Sequence, residues 1–517
     1  MASNAALTVT GAAGIVQTLD FQDTNGQDFA AASDVLPALN AAILVGNLVP
    51  VVAGSNTAIP AGKPGLLQVG TGGQYVISVG YSALIDTATT SATVFGGAMD
   101  GQLVVAGSSG LAFNAGAGAG TVIAGAGNNL ISVLPGAGAQ RIITGLGADT
   151  IVATFGNNLI QPGSGRNIIL ARGGNDTVVS TGNDVISIPD GNANITLGAY
   201  IIPIGGAIPV RTVFLGSGVC QVFELFLDTL TPSVVVAGSA PTTITSQGAD
   251  QLWMQAGGGV VNSYGHGPIT VIATESAPQS QNVSVLTPQT TQQGTLGADT
   301  VIGGTGAITV NASYANDFIF AGPGAVNFVG GQGASTILGN AQGTASITGG
   351  AGSLVAIAYG QTSFTGGAGA ATIAAFGGSV TINGGAGTGL FIGATTGNNR
   401  ITAGTGNTTI YGGGAGDVLA AGSVGGGILV AGSGAETLIG GAGADLFAAI
   451  QGKAGTLTIQ NFTKGQDFFT LTGFTTTEAA TALASSTLIA GSQQLTLSDG
   501  TKILFAGVTG LTVISFI

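Results

Sequence analysis

Charge is scarce in this sequence, and positive charge is scarcer than negative. Only 9 Lys and Arg residues stand against 22 Asp and Glu, and charged residues make up 6% of the 517 residues. This balance argues against nucleic acid and anionic membrane surfaces as partners. Thr, Ser, Asn, Gln, Gly and Ala must cover most of the surface. Because the surface carries few charges that would repel another copy, we expect copies of the protein to associate side by side.

Cysteine and histidine occur once each. Cys220 cannot form an intrachain disulfide, and we expect a buried spectator thiol there. His266 cannot build a multi-histidine metal site, and neither HExxH nor GxSxG occurs in the chain. The sequence therefore predicts that the protein is not an enzyme. Residues 1–14 lack both a basic segment and a continuous apolar stretch, so we expect no ordinary cleaved signal peptide.

Glycine is abundant and recurs in register. Five consecutive nine-residue units run from residue 135 to 179: PGAGAQRII, TGLGADTIV, ATFGNNLIQ, PGSGRNIIL and ARGGNDTVV. The fourth position is always glycine, and the eighth is always a β-branched aliphatic residue: Ile142, Ile151, Ile160, Ile169 and Val178. Glycine permits turns closed to other residues, and an inward aliphatic side chain at a fixed offset stacks on its equivalent one coil away. The pattern predicts an all-β fold, a parallel β-solenoid.

The units divide the chain into five predicted regions. Residues 1–110 show no regular nonapeptide and include a helical pattern at 28–40, so we expect an N-terminal cap or attachment domain. Residues 111–189 and 294–448 form two solenoid segments, in which two nonapeptides make one coil. Residues 190–293 lose the period and are either an inserted β domain or an irregular solenoid with long loops. Residues 449–517 read as a C-terminal β cap.

The last complete unit and the tail resemble a known family. GGAGADLFA at 440–448 fits the RTX nonapeptide GGxGxDxUx throughout, and residues 441–517 resemble the carboxyl end of RTX proteins exported through a type I channel. The resemblance implies an RTX-like β-roll, a secretion signal in the tail and an extracellular or cell-surface location. It also implies calcium between turns, held by sixth-position Asp side chains one coil apart and by backbone carbonyls.

Most sixth positions lack the Asp that calcium needs. Asp299 and Asp317 place two carboxylates on the same side of successive coils and form the best predicted calcium site. Weaker mixed pairs are Asp149 with Asn167 and Asn158 with Asp176, whereas Asp184 and Asp445 match locally without an obvious partner. Five successive turns carry no carboxylate at this position: Ser335, Leu354, Ala371, Gly389 and Thr408. We expect calcium at a few sites at most, and metal-free turns elsewhere with Asn side chains bonding along the stack.

Threonine recurs at the seventh position, which points outward when the eighth points inward. The set comprises Thr121, Thr150, Thr177, Thr300, Thr336, Thr372, Thr409 and Thr437. Such rows could order water, as on ice-binding solenoids, or could form a flat contact with another copy of the protein. The third alternative is that threonine occurs there only because it has a high β-propensity on a solvated face.

The function that fits best is structural. We expect a secreted protein that self-assembles with its own copies into an extracellular filament, surface layer or biofilm matrix, because solenoid ends expose unpaired strand edges. Its other partners would be the type I export machinery and the bacterial surface or matrix. The alternatives are a calcium-dependent adhesin, in which residues 1–110 or 190–293 recognise a surface or glycan, and an ice-binding protein.

Overall fold

The computed structural model describes most of the chain. The described residues are 5–198, 210–225, 232–247, 249–263, 269–273, 283–286, 298–312, 316–339, 343–396, 398–424, 426–453 and 455–516. Those up to Gly259 form one compact unit, and those from Val260 onward form a second. Both units are built almost entirely from parallel β-strands, which confirms the predicted all-β solenoid. His266 lies outside the described residues.

Helices are few in this part of the chain. They are α1 at Gln27–Leu44 and α2 at Glu478–Ala484, with 3₁₀ turns at Ala12–Gly14 and Val513–Ser515. α1 confirms the helix predicted at 28–40. Among the described residues, neither helix has the length and apolarity required to cross a membrane.

The coils of the first unit begin at residue 49. Its strands are β1 Ala5–Thr10, β2 Val16–Phe21, β3 Val49–Val52, β4 Gly65–Val69, β5 Gly73–Val76, β6 Tyr81–Asp86, β7 Ala92–Phe95, β8 Gln102–Ala106, β9 Leu111–Asn114, β10 Gly120–Ala124, β11 Leu130–Val133, β12 Gln140–Thr144, β13 Thr150–Ala153, β14 Leu159–Gln161, β15 Ile168–Ala171, β16 Asn175–Ser180, β17 Val185–Ile188, β18 Asn192–Leu197, β19 Arg211–Leu215, β20 Cys220–Glu224, β21 Ser233–Val236, β22 Thr242–Ser246 and β23 Gln251–Met254. β3, β4 and the even-numbered strands from β6 pair in parallel as sheet I. The odd-numbered strands from β5 pair in parallel as sheet II.

Aliphatic residues stack along the inside of both sheets. Ile142, Ile160 and Val178 are in register in sheet I, and Ile151 and Ile169 are in register in sheet II. All five are fully buried. Each such side chain contributes roughly 1.5–3 kcal/mol when it leaves water. The predicted eighth-position stack is therefore the core of the unit.

The fourth-position glycines are required by the distance between coils. A Cβ added at Gly165 would lie 1.4 Å from the carbonyl oxygen of Gly147, one coil earlier. At Gly174 the same addition would meet the Gly156 carbonyl oxygen at 2.0 Å, and its φ of +76° is also unfavourable for other residues. Any side chain at these turns would force neighbouring coils apart.

Residues before 49 cover one side of this unit. β1 and β2 form an antiparallel pair, and α1 packs with them against the outward face of sheet I. Leu36 of α1 and Phe21 of β2 share one apolar cluster with Ile85, Val105 and further outward sheet residues. The solenoid coils begin at Val49, before the boundary predicted at residue 110. In these earlier strands aliphatic side chains also point inward at every second position, although no nonapeptide repeat marks them.

The described strands between 190 and 254 continue the same two sheets. β18, β20 and β22 extend sheet I, and β19, β21 and β23 extend sheet II, all in parallel register. The described strands from 192 to 254 therefore belong to the same parallel sheets as the first solenoid segment. Cys220 faces inward in register with Ala193 and is buried, as expected for a spectator thiol.

The second unit repeats this architecture, and β24 Gly259–Ser263 lies at the boundary. Its further strands are β25 Thr270–Ala273, β26 Val283–Leu286, β27 Thr300–Ile302, β28 Ile308–Asn311, β29 Asp317–Phe320, β30 Val326–Val329, β31 Ser335–Leu338, β32 Ala345–Thr348, β33 Leu354–Ala358, β34 Thr362–Thr365, β35 Ala371–Ala375, β36 Val380–Asn383, β37 Gly389–Ile392, β38 Arg400–Thr402, β39 Thr408–Tyr411, β40 Val418–Ala420, β41 Gly427–Val430, β42 Glu436–Ile439, β43 Leu446–Ile450, β44 Thr456–Gln460, β45 Phe468–Thr472, β46 Thr487–Ile489, β47 Ser492–Thr496 and β48 Lys502–Phe505. Strands β26 to β44 with even numbers form its sheet I. Strands β25 to β45 with odd numbers form its sheet II.

A change of strand direction closes the second unit. β48 pairs in parallel with β44, but β47 and then β46 continue the sheet antiparallel. Phe462, Phe469, Phe505 and Phe516 pack ring against ring at this end, with centroids 5.1–6.4 Å apart. The tail therefore ends the coil stack with a folded β cap.

Candidate functional site

A column of alternating Asn and Asp runs beside sheet II of the first unit. It consists of Asn129, Asp149, Asn167 and Asp184, all buried. Asp149 Oδ1 accepts hydrogen bonds from the backbone N–H and the side-chain amide of Asn129, at 2.8 and 2.9 Å. Asp184 Oδ1 accepts the same two bonds from Asn167, at 3.1 and 2.9 Å. Each acid is thus bonded to the amide one coil before it.

Sheet I of this unit carries the matching column. Asp176 Oδ1 accepts from the backbone N–H and the side-chain amide of Asn158, at 2.8 and 3.0 Å. Asn158 Oδ1 in turn accepts from the backbone N–H of Gln140 at 3.0 Å. The predicted mixed pair is therefore in contact, and the contact is a hydrogen bond.

Hydrogen bonds to neighbouring coils offset the burial of these acids. Burial raises the pKa of Asp149, Asp176 and Asp184, the last to about 6, while the Asn donors act in the opposite direction. Asp149 Oδ2 has no hydrogen-bond partner among the described residues. The expectation that Asp184 has no partner one coil away is wrong, because Asn167 lies only 17 residues earlier.

Acids of the second unit also close their own turns. Asp417, Asp445 and Asp467 each accept with Oδ2 from the backbone N–H four residues earlier, at 2.7, 2.6 and 2.7 Å. Their Oδ1 atoms accept from backbone N–H groups of the preceding coil, at 2.8, 2.7 and 2.9 Å. Asp445 therefore has partners one coil away on both sides, contrary to expectation.

Three of the buried acids in these columns were missed from sequence. Asp417 is the sixth residue of a unit that begins at Gly412, and Glu436 is the sixth residue of the unit that begins at Ala431. Burial raises its pKa to about 8, and the nearby Asp417 adds to the rise. Asp467 lies in the tail, where no nonapeptide marks it.

Asp299 and Asp317 hold equivalent places in consecutive coils and are both buried. Asp417 with Glu436 and Asp445 with Asp467 do so too, but their carboxylates accept hydrogen bonds from backbone N–H groups. The hydrogen bonding of Asp317 is different. Asp299 Oδ1 accepts from the backbone N–H of Ile269 at 3.1 Å. Neither carboxylate oxygen of Asp317 has a hydrogen-bond partner among the described residues, and the same is true of the buried hydroxyl of Ser335, which is in register with Asp317. Unsatisfied buried oxygens on successive coils are what a hard cation would complete.

The electrostatics of this pair also favour a cation. Burial raises the pKa of Asp299 to about 6. Burial and then the Asp299 charge raise the pKa of Asp317 to about 7. Two carboxylates without an amide between them repel each other when ionised, and a divalent cation would remove that repulsion. Asp299 and Asp317, with the Ser335 hydroxyl, therefore fit the oxygen donors that calcium takes.

The five turns predicted to lack a carboxylate are in register, as expected. Ser335, Leu354, Ala371, Gly389 and Thr408 follow one another along sheet II. Leu354 and Ala371 are buried, and Thr408 donates its hydroxyl to the Gly406 carbonyl at 3.1 Å. Apolar packing and local hydrogen bonds hold this stretch.

A further acid pair lies in the first unit, beyond the nonapeptides. Asp250 and Glu224 are buried close together, and burial followed by the charge of Glu224 raises the pKa of Asp250 to about 8. Ser246 donates its hydroxyl to Asp250, and the backbone N–H of Gln247 donates to Glu224. Burial and the neighbouring carboxylate therefore both disfavour ionisation of Asp250.

The seventh-position threonines point outward and are half-buried, as predicted. In sheet II of the second unit they do not form a continuous row. Thr300, Thr336, Thr372 and Thr409 occupy every second strand, and Phe318, Val355 and Leu390 lie between them. This face is therefore not a threonine array.

Comparison with known proteins identifies the repeats. Four stretches match the RTX calcium-binding nonapeptide repeat, at residues 143–178, 293–326, 393–425 and 430–449. They contain Asp149, Asp176, Asp299, Asp317 and Asp417. No curated protein and no solved structure matches the chain.

Proposed function

We propose that this chain, which carries RTX calcium-binding nonapeptide repeats, is a secreted structural protein that self-assembles into an extracellular filament, surface layer or biofilm matrix. Proteins with these repeats are typically secreted or surface-associated. The proposal assigns the chain's main partner as its own copies, with the type I export machinery acting before assembly.

The observation that carries the proposal is the near absence of charge on the outward faces of the second unit. Outward positions of sheet I from β28 to β38 hold Thr, Asn, Ser and Val with a single charged residue, Arg400. Outward positions of sheet II from β27 to β41 hold no charged residue. Copies therefore approach with little electrostatic repulsion.

Edge strands supply a second reason. Among the described pairings, β3 pairs only with β4, and β5 pairs only with β7. Each leaves one row of backbone donors and acceptors for a strand of another chain. Joining such an edge to a different surface of the next copy gives an open polymer.

Electron microscopy and sedimentation of the purified protein test the proposal. We expect filaments or sheets that grow with protein concentration, both in calcium and in EDTA. Dispersed monomers at every concentration under both conditions would overturn it.

A calcium-dependent adhesin is the second candidate, and the unsatisfied oxygens of Asp317 support it. In this role Asp299 and Asp317 would hold the ion, which would stiffen the coils that carry a binding surface. Chelation of calcium would then abolish binding of the protein to cells or glycans. A purely structural protein would bind neither, with or without calcium.

Ice binding is the third candidate. It draws support from sheet I, where Ser346 and Thr348 lie in register with Ser363 and Thr365 on the outward face. Thermal hysteresis of the purified protein decides it.

A further inference from the structure

The outward face of sheet II in the second unit is apolar. Two outward residues per strand form two columns along β27 to β41. Phe320, Val355, Tyr411 and Ile428 are each 40–42% exposed. Tyr359 and Phe376 extend the face at its margin and stack on each other at 5.7 Å. A continuous apolar surface of this kind marks an interaction site.

The chain covers a similar surface elsewhere. In the first unit the outward residues Ile85, Val105 and Ile123 of sheet I are buried under α1 and the β1–β2 pair. Among the described residues, no segment packs in that way on sheet II of the second unit, where Phe320, Tyr411 and Ile428 keep 40–42% of their surface exposed.

The first of the two columns has a regular alternation of threonine and apolar residues. Threonine occupies every second strand, at Thr300, Thr336, Thr372 and Thr409. Apolar residues occupy the strands between and after them: Phe318, Val355, Leu390 and Ile428. Phe318, Leu390 and Ile428 are larger than threonine, whereas Val355 has about the size of threonine and lacks its hydroxyl. With strands about 4.8 Å apart, apolar side chains recur at about 9.6 Å with a threonine between each pair.

We infer that a second copy of this chain covers the face, related by a two-fold axis parallel to the strands and passing between β33 and β35. This operation reverses the order of the coils and places β33 opposite β35, β31 opposite β37, β29 opposite β39 and β27 opposite β41. Every apolar residue of the first column then lies over a threonine of the other copy: Val355 over Thr372, Leu390 over Thr336 and Phe318 over Thr409. The second column has no such alternation, and the same operation places Phe320 over Tyr411. The first column is therefore complementary to itself, which an unrelated partner would not require.

The size and charge of the face agree with this partner. Eight strands at about 4.8 Å and four residues at about 3.3 Å give roughly 500 Å² per copy, or about 1,000 Å² in total. That area lies at the lower limit for a specific interface, so the pair forms in a concentration-dependent way. Neither copy brings a charge that would be buried without a counter-ion. This pairing rests on the proposed function, and it adds to that function the lateral contact between copies.

A charge-rescue experiment on the full chain tests the geometry. F318K places a cation over Thr409 of the other copy, and we expect it to weaken dimerisation about tenfold or more in sedimentation velocity. Adding T409E should restore the affinity, because the two new charges meet across the interface. Within one copy the two positions are five strands apart, about 24 Å, so they cannot pair there. T365K, on the outward face of sheet I, is the matched control and should dimerise like the parent, and circular dichroism confirms that each variant is folded.

The outcomes separate the inference from the proposed function. If F318K dimerises like the parent, or T409E restores nothing, the proposed pairing is wrong even where filaments still form. If dimers depend on Phe318 but no larger assembly grows, the pairing is right and the proposed function is wrong. A parent protein that stays monomeric at all concentrations contradicts both.

Discussion

Asn399 lies one coil before Asp417, and its side-chain amide donates to both carboxylate oxygens, at 2.8 and 2.9 Å. The backbone N–H groups of Asn399, Gly413 and Gly414 also donate to this carboxylate, at 2.8, 2.7 and 3.2 Å. A buried carboxylate is satisfied here entirely by protein donors. In a repeat with Asp at every sixth position, calcium would link the acids of successive coils. Here the Asn399 amide links the two coils in its place.

Removing this acceptor should weaken the fold. Asp417→Ala leaves several buried donors unpaired, and we expect a loss of about 3 kcal/mol in the free energy of unfolding, measured with urea. The control is Arg172→Gln, which breaks the exposed ion pair with Asp190 at 2.9 Å and should cost less than about 1 kcal/mol. Equal losses for the two variants would show that the Asn–Asp contact contributes little.

Neighbouring isoleucines of β15 provide a matched pair for the core. Ile169 is fully buried and stacks on Ile151, whereas Ile168 points outward and is 57% exposed. We expect Ile169→Ala to lower the free energy of unfolding by about 2–5 kcal/mol, and Ile168→Ala to change it by about 0.5 kcal/mol or less. Comparable effects from both would mean that the coil interior is not a packed aliphatic stack.

The repeat pattern was enough to predict this stack. Ile142, Ile160 and Val178 recur every 18 residues, and only a coil of two strands places such a period on one inward face. The same logic missed the coils between residues 49 and 110. In strands such as β6 and β8 of that region, every second side chain still points inward. The turns between these strands vary in length, however, and contain no nonapeptide repeat.

Side-chain partners were harder to predict than positions. Sequence register found Asp299 and Asp317 and the mixed pair of Asp149 and Asn167. It could not find that Asp184 contacts Asn167, since a coil shortened by one residue breaks an exact 18-residue count. Nor does spacing reveal that, among the described residues, both oxygens of Asp317 lack donors while those of Asp417 have several.

Raised carboxyl pKa values predict a dependence on pH. The pKa of Glu436 rises from 4.5 to about 8 and that of Asp317 from 3.8 to about 7, so the folded state binds more protons than the unfolded chain across this range. Their contribution to stability is complete below about pH 4 and is lost as the pH rises towards 8. In EDTA the melting temperature should therefore fall from pH 5 to pH 8.

Glu436→Gln is the informative variant for that experiment. An amide cannot ionise, and its oxygen can still accept from the Gly432 backbone N–H as the acid does now. The decline in melting temperature between pH 5 and pH 8 should be shallower than in the parent. A melting temperature that rises over this interval in EDTA would contradict the account of these buried acids.

Calcium should act at one place above all. In the double variant Asp299→Asn and Asp317→Asn, the calcium-induced rise in melting temperature should disappear, because no paired carboxylates remain to hold the ion. In EDTA at pH 8, the same variant should melt higher than the parent, since the two charges no longer repel. Asp184→Asn is the control: the Asp184 oxygens already accept from Asn167 and Ser180, so its calcium response should equal that of the parent. A full response in the double variant would place the ion elsewhere.

Far-UV circular dichroism of the purified protein in EDTA, followed through a thermal melt and repeated in calcium, tests the central claim most directly. Stacked aliphatic residues and Asn–Asp hydrogen bonds predict a strand-rich spectrum and a cooperative melt in EDTA, with only a modest upward shift of the melting temperature in calcium. A disordered spectrum in EDTA that becomes strand-rich only when calcium is added would contradict it.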